Sequence, residues 1–260
     1  MTPSLLSDSD APPLPVVNQI TLDHPWQWLA RGWIDLRKAL GYSLSYGAVF
    51  VGLSLLLTLG LVAEHLFFII PPLIASFFLV APLLGIGLYQ ISATLEQGQP
   101  VRFCQAWQAW KKNEVHLAAM GVLLLLVMLA WMLTANLVFA LLFTKPVPTW
   151  ENFIPVVFLS GDSTLFLVVG TLVGGIIAAF TFSISVITVP LLMDRQVDLM
   201  TAVKTSLAVV RLNWQPMILW AALILMFVGV GLSTFYLGLL VAMPLVGHAT
   251  WHAYRDLVRA

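Results

Sequence analysis

The chain has 260 residues, of which 60% are hydrophobic and only 9% charged, with 12 basic residues balancing 12 acidic ones. Water-soluble domains carry about 25% charged residues, so the solvent this composition fits is lipid, and the balanced charge argues against a nucleic-acid partner. One cysteine, Cys104, excludes an internal disulfide, and no Cys/His cluster has zinc spacing.

Residues 1–22 hold Pro3, Pro12, Pro13 and Pro15 with Asp8 and Asp10, and no basic start before an apolar core. They read as a mobile cytosolic tail rather than a signal peptide. Residues 23–260 read as one transmembrane domain. It opens on an amphipathic helix over 25–40, with Trp26, Leu29, Trp33, Leu36 and Leu40 on one face and Gln27, Arg31, Asp35 and Lys38 on the other. Pro25 suits its first turn. Such a helix is expected to lie in the membrane interface.

Residues 42–63 are apolar for long enough to cross about 30 Å of hydrocarbon, and Glu64-His65 ends them. Pro71-Pro72 opens a second span to about residue 92. A second amphipathic segment sets Phe103, Trp107 and Trp110 against Arg102, Gln105, Gln108 and Lys112. Spans over 116–143 and 164–193 follow, separated by a loop with Pro146, Pro148 and Pro155. Asp162, in Ser160-Gly161-Asp162-Ser163, reads as a helix cap. Asp198 reads as the cap of a third amphipathic helix, with Leu199, Val203, Ser206 and Val210 opposite Lys204 and Arg211. Spans over 214–232 and 235–251 complete six, with a turn at Ser233-Thr234.

The expected fold is therefore an all-α polytopic membrane protein. It has six transmembrane helices as three pairs, each pair preceded by a short amphipathic interfacial helix. The units 24–92, 100–193 and 198–254 read as loose copies, each ending in a proline helix: Ala81-Pro82-Leu83-Leu84, Val189-Pro190-Leu191-Leu192 and Met243-Pro244-Leu245-Val246. Proline frees a carbonyl and bends a helix, so Pro82, Pro190 and Pro244 are expected as kinks that face the bundle interior. Eleven basic residues flank the spans on one side, and only Lys145 falls on the other. The positive-inside rule then puts both termini and the amphipathic segments in the cytosol, as for a multi-pass protein of a bacterial inner membrane.

Few residues suggest chemistry. Glu64 and His65 form the acid–base pair nearest a span, and intramembrane ionisable groups are functional candidates; a helix end in water is the alternative. His248 and His252 share a face at four-residue spacing, which suits a metal or interfacial packing, with His116 as a candidate third ligand or haem partner. The zinc-protease signature fails at Ala249. Gly170 and Gly174 can bring helices together, within the chain or at a dimer seam. Arg31, Arg37, Lys38, Arg102, Lys111, Lys112, Lys204 and Arg211 are expected against anionic headgroups, or as a ring that recruits a partner. No cofactor motif is present.

Two stretches carry a resemblance: His24 through Leu36 (HPWQWLARGWIDL), and Ala81-Pro82-Leu83-Leu84 with Gly87-Leu88-Tyr89, Ser92, Leu95-Glu96 and Gly98. Together they resemble a bacterial family of predicted integral membrane proteins of unknown function, over nearly all of the chain after residue 15. The family pattern favours Arg after the Ser, where this chain has Ala93. The resemblance implies a membrane fold and no activity.

Three functions fit. One is a non-enzymatic accessory or assembly component of a larger membrane complex, through a partner or a homo-oligomer. The second is a channel or permease for a small solute along the repeat axis. The third is an enzyme acting on lipid, for which Asp35, Glu96, Glu114, Asp194 and Asp256 are the only acids near the inner headgroups.

Overall fold

The computed structural model describes residues 15–102, 108–143, 152, 155–159, 161 and 163–259. Within them the chain is built of helices, with one isolated antiparallel bridge between Val17 and Val258. The expectations at residues 1–14, Phe103, Cys104, Gln105, Trp107, Lys145, Pro146, Pro148 and Asp162 lie outside the described residues.

In chain order the helices are α1 (His24–Lys38), α2 (Leu40–Ala63), α3 (Ile70–Leu84), α4 (Ile86–Glu96), α5 (Glu114–Leu142), α6 (Thr164–Ser185), α7 (Thr188–Asp194), α8 (Leu199–Leu212), α9 (Trp214–Ser233) and α10 (Leu239–Leu257). Local chemistry is visible at the ends of α1 and α8. Pro25 sits in the first turn of α1, and Arg37 and Lys38 in its last, where the helix dipole favours cations. Asp198 caps α8 as expected: its carboxylate accepts from the Thr201 amide at 2.9 Å. That bond and the Thr201 hydroxyl hold the Asp198 carboxyl below the usual aspartate range.

Five segments among the described residues are long and apolar enough to cross a membrane: Leu40–Ala63, Phe67–Glu96, Glu114–Leu142, Thr164–Asp194 and Trp214–Ser233. The expected sixth, α10, is not one of them. Its second half carries His248, His252, Arg255 and Asp256, and most of it is enclosed by protein, with Leu239, His248, Ala249, Ala253, Tyr254 and Leu257 fully buried. It runs between α1, α2, α4, α7 and α9. Burial by protein rather than lipid lets this helix carry polar groups.

The three proline motifs are not alike. Pro82 lies inside α3, which stops two residues later, and α4 restarts after Gly85. Pro190 lies in α7, after a break at Val186-Ile187. Pro244 lies inside an unbroken α10. Two of the motifs thus lie beside helix breaks and the third within a continuous helix.

In α1 and α8 the face buried by protein is offset from the apolar stripe. In α1 the buried side chains are Trp28, Leu29, Asp35 and Leu36, while Trp26 and Trp33 are exposed. The cause is Gly32: a Cβ there would lie 2.7 Å from the Ala249 amide nitrogen. Only glycine lets α10 come that close, and the approach turns Asp35 inward with it. In α8, Ala202, Thr205, Ser206 and Val209 are buried; of the expected stripe Ser206 is buried and Leu199, Val203 and Val210 are half-buried, opposite the exposed Lys204 and Arg211. Residues 15–22, expected to belong to the tail, are docked. The Asn18 amide donates to the Leu257 carbonyl at 2.9 Å, and the Asn213 side chain bonds both Ile20 and Asn18.

Candidate functional site

The ends of α4, α7 and α10 meet at one rim of the bundle, and α1 lies across it. Arg255 on α10 donates to Glu96, the last residue of α4, at 3.1 Å, and stands 3.8 Å from Asp194, the last residue of α7. The Tyr254 hydroxyl donates to Asp194 at 2.6 Å, and the Trp251 indole to Glu96 at 3.0 Å. Asp256 takes both Arg31 and the Trp28 indole from α1, the latter at 2.8 Å. A forked guanidinium–carboxylate pair fixes orientation as well as distance, so these contacts lock three helix ends to one another and to α1.

Beneath that rim runs a line of polar groups. His248 is fully buried. Its Nε2 lies 2.9 Å from the Ser43 hydroxyl on α2, and its Nδ1 2.9 Å from the Ser92 hydroxyl on α4. Asp35 lies 2.8 Å from His252 Nε2, and Ser92 is among the groups that lower its carboxyl. Four helices thus bring together two polar groups, Ser43–His248–Ser92 and Asp35–His252. Burial would raise the Asp35 carboxyl. Hydrogen bonds from His252 and Ser92, and the pull of both imidazoles, outweigh that and hold it below its ordinary value. Every member is a group that can give and take a proton, and only the His252 end approaches the surface, with its side chain 14% exposed.

The structure sorts the other candidates. His248 and His252 point to different partners, and among the described residues no three His, Cys, Asp or Glu side chains gather as a metal site. His116 lies near the start of α5, half-buried. Glu64 and His65 stand exposed in the turn that closes α2, with His65 at φ +57°. Gly174 packs on the Trp131 ring of α5, 3.0 Å from where its Cβ would be, so the Gly170–Gly174 pair serves packing inside the chain. Of the basic set, Arg31 is held by Asp256, and Lys112 donates to Gln90 at 2.9 Å. Arg37, Lys38, Arg102, Lys111, Lys204 and Arg211 are exposed.

Sequence reasoning found His248, His252 and Asp35 separately and missed that they gather in one place. It gave Ser43 no role; a serine four residues into an apolar helix carries no signal until its partner is known.

No curated protein and no solved structure matches the chain. The N-terminal stretch His24 through Leu36, which carries part of the resemblance, lies outside the region that the matching family model covers. That region takes in α3 to α7, and the chain is an integral membrane protein with several apolar helices. Residues 69–194 match the family described as a predicted integral membrane protein (DUF2189), the uncharacterised membrane family that the sequence resembles.

Proposed function

We propose that this chain is a non-enzymatic component of a larger inner-membrane complex, with both termini and the locked rim in the cytosol. The observation that carries this reading is the position of α10. A solute path along the bundle axis would need space there. The axis instead holds a helix whose Ala249, Ala253, Tyr254 and Leu257 are fully buried. Around it, at most 11% of the most apolar stretch is buried in four of the five membrane-length segments. Those flanks are open to other helices, and in lipid close packing rather than water drives helix association. The bias of basic residues toward one side supports the cytosolic orientation, and the exposed Arg37, Lys38, Lys204 and Arg211 suit anionic headgroups there.

Chemical cross-linking in native membranes, followed by mild-detergent extraction, tests the reading. The expected result is a particle heavier than one chain in its detergent belt. Recovery as a single chain at native expression levels, with ion or small-solute flux in liposomes, would favour the channel instead. Reporter fusions at residues 1 and 260 are expected to report cytosol; a periplasmic signal at either overturns the orientation.

A further inference from the structure

A slot of about 420 Å³ opens between α3, α6, α9 and α10. That lies within the usual range for small-molecule sites, about 300–1,000 Å³. Its walls are followed along α9 by Trp214, Met217, Ile218, Ala221, Leu225 and Val228. Fourteen residues separate the first from the last, so the slot is about 21 Å long at 1.5 Å per residue. A volume of this size spread over that length is narrow and suits an extended hydrocarbon chain rather than a ring system.

The slot has a direction. The helices that descend to the locked rim, α3, α6 and α10, contribute Gly85, Ser185 and Thr250 near that end and Phe77, Gly175 and Met243 at the other. The first residue of α9, Trp214, stands at the rim end. Ser183, Ser185 and Thr250 are therefore gathered at the rim end, while the far end is apolar.

Ser185 is the telling residue. It is fully buried, it forms part of the slot wall, and its hydroxyl has no hydrogen-bond partner. Ser183 and Thr250 satisfy theirs on their own helices, at Ala179 and Val246. A buried hydroxyl left unpaired loses its bond to water without replacement. A hydrocarbon tail cannot relieve that, but an oxygen at the head of the tail can. Arg211, exposed on α8, follows the slot residue Val210 in sequence, on the side where a lipid phosphate would lie.

We propose that the slot holds one acyl chain of a membrane phospholipid. Its ester carbonyl accepts from Ser185, its tail runs from Trp214 toward Val228, and its headgroup lies at the rim beside Arg211. This is a defined lipid site, distinct from the general lipid contact of the outer flanks.

The test uses the full chain purified in mild detergent, with bound lipid counted by native mass spectrometry. Anionic diacyl phospholipid is expected to remain at one per chain. Ala221→Phe, which fills the slot midway, is expected to remove it. Ser185→Ala keeps the fold, because no protein bond is lost, and is expected to weaken retention about threefold to tenfold. A phospholipid with a diazirine in its acyl chain is expected to label peptides of α6 and α9 in the wild type and to lose that labelling in Ala221→Phe. Equal retention and labelling in wild type and Ala221→Phe overturns the site. Retention of free palmitate in place of phospholipid overturns the ester assignment, and full retention by Ser185→Ala removes the role of the hydroxyl.

Discussion

Gly47 of α2 lies on the backbone of Leu240 in α10: a Cβ at Gly47 would fall on the Leu240 carbonyl oxygen. That carbonyl is four residues before Pro244 and so has lost its usual helical donor. In lipid a bare carbonyl is costly, and here it is turned into the bundle and covered by the one residue type that can approach it. Pro244 and the glycine on the neighbouring helix are therefore a single device. Gly47→Ala forces the two helices apart and is expected to lower stability by about 1–3 kcal/mol, the usual range for overpacking. Gly52 and Gly60, on the same helix, face open space, and alanine there is expected to be neutral or mildly stabilising. Thermal unfolding in detergent separates the three variants.

Asp35 gives the rim a pH dependence with a definite sign. Its carboxyl is held below the ordinary aspartate value of about 4. A depressed carboxylate contributes its full stability above the unfolded value and loses it as pH falls through the folded one. Melting temperature should be insensitive to Asp35 between about pH 5 and 7 and fall below about pH 4. In Asp35→Asn this part of the acid limb is expected to disappear, and a scan of melting temperature from acid to neutral pH checks it.

The line through His248 should behave as a unit. His248→Ala leaves the Ser43 and Ser92 hydroxyls buried with one partner fewer, and about 2–4 kcal/mol of destabilisation is expected from the lost bonds and the cavity. Ser43→Ala alone strands one ring nitrogen and is expected to cost about 1–3 kcal/mol. Residues in one network do not add. A double-mutant cycle on these two residues is expected to show coupling of about 1 kcal/mol, whereas additive effects would mean that the contact carries no stability.

At the rim, Asp256 differs from the exposed basic residues. It joins Arg31 and the Trp28 indole, and Trp28 is fully buried. Asp256→Ala is expected to cost about 2 kcal/mol, mostly through the stranded indole N–H rather than the half-exposed ion pair. Arg37→Gln and Lys38→Gln should leave the melting temperature unchanged within about 0.5 kcal/mol. If they reduce binding to anionic vesicles, their role is at the lipid surface.

Much of the helix layout was legible because it depends on local chemistry. The pattern placed the first amphipathic helix at 25–40, and α1 is His24–Lys38. It placed the first span at 42–63, and α2 is Leu40–Ala63. Asp198 was readable as a cap since capping needs only the three residues that follow. The sequence offered a sixth span because Leu239–Val246 is apolar, whereas the polar half of the same helix is packed against α1 and α4. Trp26 and Trp33 were read as the face toward the membrane interface and are exposed, while the close pass of Ala249 over Gly32 buries the neighbouring face.

The sequence by itself determined the solvent, the helix ends and the excess of basic residues on one side, for these follow from composition and from neighbours a few residues apart. Only the tertiary structure decided that His248 ends between two serines, that Asp35 is buried, that α10 fills the axis and that Ser185 is left unpaired beside a slot. Each of these depends on which helix backbone comes closest to which, and that is set by residues more than a hundred positions away in the chain, such as Gly32 and Ala249 or Gly47 and Leu240.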